Sequence, residues 1–183
     1  MDLVEIRSGY TFRSAIDSFS DGDVEVIQSG DLGVQFNFTL RQKIDFPGND
    51  EHLLQYGDIL LSARGFSKAM VYRENKKAVA SSSLFVLRVK SNKTSPSFIS
   101  MFFNSEFGMK EVFRLSSNTS VQTITKENLG QIKIPEIPPD KQDHLGNLIQ
   151  TIDDYKSLIQ EKEIYLNSIR SNIINKTLKE IAR

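Results

Sequence analysis

Residues 138–183 read PPDKQDHLGNLIQTIDDYKSLIQEKEIYLNSIRSNIINKTLKEIAR. Beyond Pro139 the stretch holds no further proline and one glycine, Gly146. Leu145, Leu148, Ile152, Tyr155, Ile159, Leu166, Ile169 and Ile173 keep alternating steps of three and four, with Lys162 at one position of the same seam. After Ile173 the stripe slips to Ile174, Leu178 and Ile181. The spacing predicts one long helix, N-capped by Asp140. At 1.5 Å per residue, about 44 residues make a rod of about 66 Å. A domain of roughly 140 residues has a radius of gyration of only about 14 Å, too small to cover it. A hairpin folded back on its own domain needs a breaker, and the polar Glu161-Lys162-Glu163 contains neither glycine nor proline. The apolar stripe is therefore expected to pair with a second copy of the chain, with Leu145, Leu148, Ile152, Tyr155, Ile159, Leu166, Ile169 and Ile173 as dimer interface. The seam by itself allows parallel or antiparallel pairing.

Upstream of the prolines the pattern is a patchwork of short segments. Strands are predicted at Val24–Gln28, Phe36–Leu40, Asp58–Ala63, Ala69–Tyr72, Leu84–Val89 and Ile132–Ile134. In the fifth of these, Phe85, Leu87 and Val89 share one face and Arg88 and Lys90 the other. Ser95-Pro96 reads as an N-cap with proline at the first helical position, and Ser105-Glu106 opens a second short helix. Residues 1–138 are thus expected to form a mixed α+β (α/β) domain, and residues 139–183 a C-terminal helix.

Composition is that of a globular protein, with 25% charged and 39% hydrophobic residues among 183. The absence of cysteine excludes disulfides, thiol nucleophiles and Cys-type zinc sites, and two histidines, His52 and His144, are too few for most His-built metal centres. No apolar run approaches the ~20 residues that span a bilayer, and the start has no signal-peptide pattern, so a cytoplasmic location is expected. Charge is balanced overall but not locally. Residues 1–60 carry four basic and eleven acidic side chains. Residues 61–93 carry eight basic ones (Arg64, Lys68, Arg73, Lys76, Lys77, Arg88, Lys90, Lys93) against Glu74 alone. Such an excess marks either a polyanion contact or a solvated face neutralised by acidic neighbours in the fold.

Motifs for catalysis are few. There is no phosphate-binding loop, no dinucleotide fingerprint and no nucleophile elbow. Asp58 with Glu74-Asn75-Lys76 fits loosely the pattern of a metal-dependent nuclease, in which two carboxylates hold magnesium and a lysine helps activate water. Two polar loops point elsewhere. Ser62–Lys68 carries Arg64, Gly65, Ser67 and Lys68, and Ser116–Thr123 carries Asn118, Thr119, Ser120, Gln122 and Thr123. Arginine binds guanine bidentately, asparagine and glutamine bind adenine, and hydroxyls reach phosphates.

Five segments, in order, carry a resemblance. They are Ile6-Arg7-Ser8-Gly9-Tyr10-Thr11, Val24 through Leu32, Tyr56-Gly57-Asp58-Ile59-Leu60-Leu61-Ser62-Ala63-Arg64-Gly65, Ser81 through Arg88, and Leu129 through Gln142 with its Ile-Pro-Glu-Ile-Pro-Pro passage. Their order resembles one half of a specificity subunit of a type I restriction-modification system. Lys141 stands where that family usually has glutamate.

The resemblance implies a non-catalytic DNA-recognition subunit. Residues 1–138 would be the target recognition domain, with Arg64, Ser67, Lys68, Arg73, Asn118, Thr119, Ser120 and Gln122 as candidate DNA contacts and Thr11, Arg13 and Gln28 as weaker ones. Residues 139–183 would pair with a second copy as an intermolecular antiparallel coiled coil and dock a DNA-adenine methyltransferase. S-adenosylmethionine would sit on that partner, leaving this chain without a cofactor or metal, and restriction would need a further ATP-driven subunit. The alternatives are the metal-dependent nuclease built on Asp58, Glu74 and Lys76, and a coiled-coil assembly adaptor with no role on DNA.

Overall fold

Two short apolar runs, Ile59-Leu60-Leu61 and Leu84-Phe85-Val86-Leu87, are buried on both faces and organise the molecule. The structure, a computed structural model, describes residues 3–13, 22–32, 41–65, 68–117 and 122–181. Its elements are β1 (Val4–Ser8), β2 (Val24–Ile27), β3 (Lys43–Ile44), β4 (Ile59–Ser62), β5 (Ala69–Val71), β6 (Ala78–Ala80), β7 (Leu84–Val89), α1 (Pro96–Asn104), α2 (Glu106–Leu115), α3 (Lys126–Gly130) and α4 (Pro139–Ile181). An antiparallel sheet has the order β1-β7-β4-β5, and a smaller one the order β3-β2-β6, in which β2 and β6 run parallel.

Alternation along β4 and β7 divides the core. Ile59, Leu61, Phe85 and Leu87 face α1, α2 and α3, packing on Ile99, Phe102, Phe103, Val112 and Leu129. Leu60, Leu84 and Val86 face the smaller sheet, packing on Ile27, Ala78 and Ala80. On that sheet's other side Val24, Val26, Ile44 and Val79 meet Tyr10, Phe12, Phe46 and Leu53. The three helices start on side-chain caps. Ser95 accepts from the Phe98 amide at 3.3 Å, Ser105 from Gly108 at 3.1 Å and Thr125 from Asn128 at 3.2 Å, each cap contributing about 1 kcal/mol.

The expected mixed α/β architecture followed by a long helix is the one observed. Some expectations need correction. Ile132–Ile134 forms no strand, because Ile132 and Ile134 pack into the helical side of the core and Pro135 has no amide to give a ladder. Helix α4 begins at Pro139, so Asp140 lies in its first turn and does not cap it. The strand expected at Phe36–Leu40 falls outside the described residues. The terminal helix is a single uninterrupted element of 43 residues, about 65 Å long. Its seam residues are open to solvent, from 37% exposed at Ile169 to 65% at Tyr155. No helix among the described residues is long and apolar enough to cross a membrane.

Candidate nucleic-acid interface

One end of the two sheets gathers most of the polar candidates, and main-chain bonds do the gathering. Ala63, at the end of β4, donates to the Ser83 carbonyl at 3.0 Å. Ser29, just past β2, donates its amide to Ser83 Oγ at 3.1 Å, and Ser83 Oγ lies 2.7 Å from Ser81 Oγ. Past β1, the Tyr10 amide reaches the Ala80 carbonyl at 2.7 Å, and Tyr10 bridges Ser81. Gly9 is needed there, since a Cβ at this position would lie 2.0 Å from the Ser81 carbonyl oxygen. The turn Ser81-Ser82-Ser83 between β6 and β7 thus ties β1, β2 and β4 together at one rim.

The two polar loops meet at the same rim. Arg64 and Thr123 form an antiparallel bridge. Gly65 donates to the Gln122 carbonyl at 2.9 Å, and Ile124 to the Ala63 carbonyl at 3.3 Å. The Ser117 amide donates to the Thr123 carbonyl at 2.9 Å and closes the base of the second loop. Arg64 and Lys68 are exposed, and Gln122 is half-buried. Ser67, Asn118, Thr119 and Ser120 lie outside the described residues. Thr11 follows directly on Tyr10, and Arg13 is exposed two residues further on. Gln28 leaves β2 at this rim, its amide bonded to Asp31 at 2.7 Å and its side chain to Gln42 at 3.1 Å.

Arg73 does not join them. It follows β5 at the opposite end of the β4–β5 hairpin, where it donates to Ser97 Oγ at 2.8 Å. The basic excess of residues 61–93 also divides. Lys76 pairs with Glu25 (3.2 Å) and Glu74, Lys77 with Asp23 (2.8 Å), Arg88 with Asp58 (2.7 Å) and Lys90 with Glu5 (2.7 Å). Among the described residues Arg64, Lys68, Arg73 and Lys93 have no carboxylate partner. Half of the positive stretch is neutralised in place, and of its eight cations Arg64 and Lys68 stand at the rim without a carboxylate partner among the described residues.

The nuclease-like pattern is not assembled. Asp58 is 1% exposed, and its carboxylate accepts Arg88 Nε and Nη2, both at 2.7 Å, and the Gln55 amide at 2.8 Å. The Asp58 hydrogen bond is the main reason the Arg88 pKa rises above its ordinary value. Arg7 stands 3.8 Å from the same carboxylate. Glu74 is held by Arg41 at 2.6 Å and by Lys76. Among the described residues no group of three or more His, Asp or Glu side chains could hold a metal ion.

The family profile of the type I restriction modification DNA specificity domain matches residues 1–178. The chain belongs to this family. Its fold is similar to solved specificity subunits, although none of the curated proteins searched matches significantly. The S subunit of a type I restriction-modification system from M. genitalium is 14% identical, with a TM-score of 0.56 over 84% of this chain and 37% of that one. The HsdS subunit from Thermoanaerobacter tengcongensis is 20% identical, with a TM-score of 0.61 over 84% and 36%. A chain of a type I R-M system, solved for its complex assembly and conformational transition, is 18% identical, with a TM-score of 0.63 over 88% and 39%. At these identities the likeness is one of fold, and the specificity domain spans well under half the length of each of those chains.

Sequence reasoning missed the serine turn as a site-building element. The signal was present in Ser81-Ser82-Ser83 between two apolar segments, but its partners at Ser29 and Ala63 are remote in sequence.

Proposed function

We propose that this specificity domain is a DNA-reading, non-catalytic part of a type I restriction-modification complex, acting in the cytoplasm. The observation that carries the reading is the Arg64–Thr123 bridge, which places two separate polar loops side by side at one rim. Arg64, Lys68 and Gln122, with the neighbouring Ser67, Asn118, Thr119 and Ser120, would meet the major groove, and Thr11, Arg13 and Gln28 would flank them. The open seam of α4 supports pairing with a second copy. In an antiparallel homodimer two identical readers sit at opposite ends of a rod, so the target is an inverted repeat with an unread spacer. A DNA-adenine methyltransferase docked on the rod would supply S-adenosylmethionine, this chain binding no cofactor, and an ATP-driven subunit would add restriction.

Purification of the tagged chain from its host, with mass spectrometry of what it retains, tests this reading. A DNA-adenine methyltransferase among the retained proteins, with methylated adenines mapped to a bipartite palindrome, is the expected result. Recovery of the chain alone under gentle salt would overturn it.

A further inference from the structure

The join between the reading domain and α4 is tight at one point and loose beyond it. Gln142, in the first turns of α4, is 2% exposed, although it is a polar residue on a helix whose distal part lies open. Its Oε1 accepts the Ser95 amide at 3.2 Å, and its Nε2 donates to the Lys93 carbonyl at 2.8 Å and the Ile137 carbonyl at 2.7 Å. Every hydrogen-bonding direction of the amide but one is therefore spent on main chain from two segments, the β7–α1 connection and the lead-in to α4. One turn later Gly146 lies against α1, where a Cβ would come within 2.6 Å of Ser97 Cβ. Further along, the packing opens. A groove of about 510 Å³ separates Ile149, Ile152, Lys156 and Gln160 of α4 from Met70 and Met101.

We propose that Gln142 and Gly146 form a clasp that sets the angle between the reading domain and the rod, and so selects the spacer length of a bipartite DNA target. This rests on the proposed dimeric, DNA-reading function. The lever is long enough to matter. The clasp lies beyond the Val89 end of β7 and the reading rim at its Leu84 end, with the six residues of the strand between them. A strand of that length spans about 20 Å, so a rotation of about 5° moves one rim by about 1.7 Å. Two symmetric copies move apart or together by about 3.5 Å, close to the 3.4 Å of one base-pair step. Gln142 and Gly146 touch no DNA in this scheme. They are positioning residues.

The test is selection from a fully random DNA library by the full-length chain, scoring half-site sequence and spacer separately. The wild type is expected to favour one spacer by about tenfold over its neighbours. Gln142→Glu keeps the acceptor facing Ser95 but turns an oxygen on two carbonyls. Gly146→Ala forces α4 off Ser97. Each is expected to keep the half-site sequence while spreading or shifting the spacer, with neighbouring lengths within about twofold of one another. Gly146→Ala leaves every Gln142 bond chemically possible, so it serves if Gln142→Glu fails to fold. Unchanged half-sites with an unchanged spacer in a folded variant would overturn the clasp while leaving DNA reading intact. A wild-type chain that selects no paired half-sites would overturn the bipartite reading and the clasp with it.

Discussion

At the scale of single residues, the candidate site was legible as chemistry but not as geometry. Arg64 and Gln122 stand out for what their side chains can bind, yet nothing in either loop announces that the Gly65 amide bonds the Gln122 carbonyl across 57 residues. Replacing Arg64 by alanine should weaken binding to the preferred DNA by about 1–3 kcal/mol and relax preference at one base position. Wild-type affinity and preference in a competition assay would remove Arg64 from the contact set. Lys68→Ala should instead lower affinity evenly across sequences and reduce the slope of log K against log salt by about one. Asp58 shows the same limit. With Glu74 and Lys76 it fits loosely a metal-binding pattern, but its bidentate partner, Arg88, lies thirty positions away on β7. Removing that carboxylate strands a largely buried guanidinium. Asp58→Ala should therefore lower unfolding stability by about 3 kcal/mol in urea titration, with no change in any magnesium dependence.

At the scale of elements, long or strongly patterned segments are readable, and of the short ones β2 and β5 are but β3 and β6 are not. The β4 and β7 runs, the two Ser-capped helices and the 43-residue α4 follow from spacing and capping. Strand β6, Ala78–Ala80, is built from two alanines and a valine, and β3 has two residues, too little for a pattern. Strand β1 alternates Val4 and Ile6 with Glu5 and Arg7, but becomes a strand only through its pairing with β7. The edge of β5 depends on a contact that no propensity encodes. Asn104, at the end of α1, accepts the Ala69 amide at 2.8 Å and donates to the Ala69 carbonyl at 2.8 Å, standing in for a missing neighbour strand. Asn104→Ala should lower stability by about 1–3 kcal/mol and speed hydrogen exchange at the Ala69 amide. Unaltered exchange there would mean that Ser100, which also bonds the Ala69 carbonyl, suffices.

At the scale of the whole molecule, the apolar seam of α4 lies open to solvent, and the proposed pairing with a second copy would cover it. Sedimentation equilibrium should give twice the 20.8 kDa chain mass at micromolar concentration. Ile159→Lys, in the open middle of the seam, should return the mass to that of one chain without altering the thermal unfolding of the reading domain, since Ile159 is exposed. A dimer that survives this substitution would place the contact elsewhere. The rim invites a different conclusion. Its loops are joined through amides and carbonyls at Ala63, Gly65, Gln122 and Ile124, so the framework is indifferent to the outward side chains it displays. Exchange of Arg64 or Gln122 leaves those joints intact. A lineage can thus change what this rim binds by a few substitutions without first rebuilding its architecture, and in the proposed dimer, where one reader would serve both ends, each such change would be copied to both halves of the target at once.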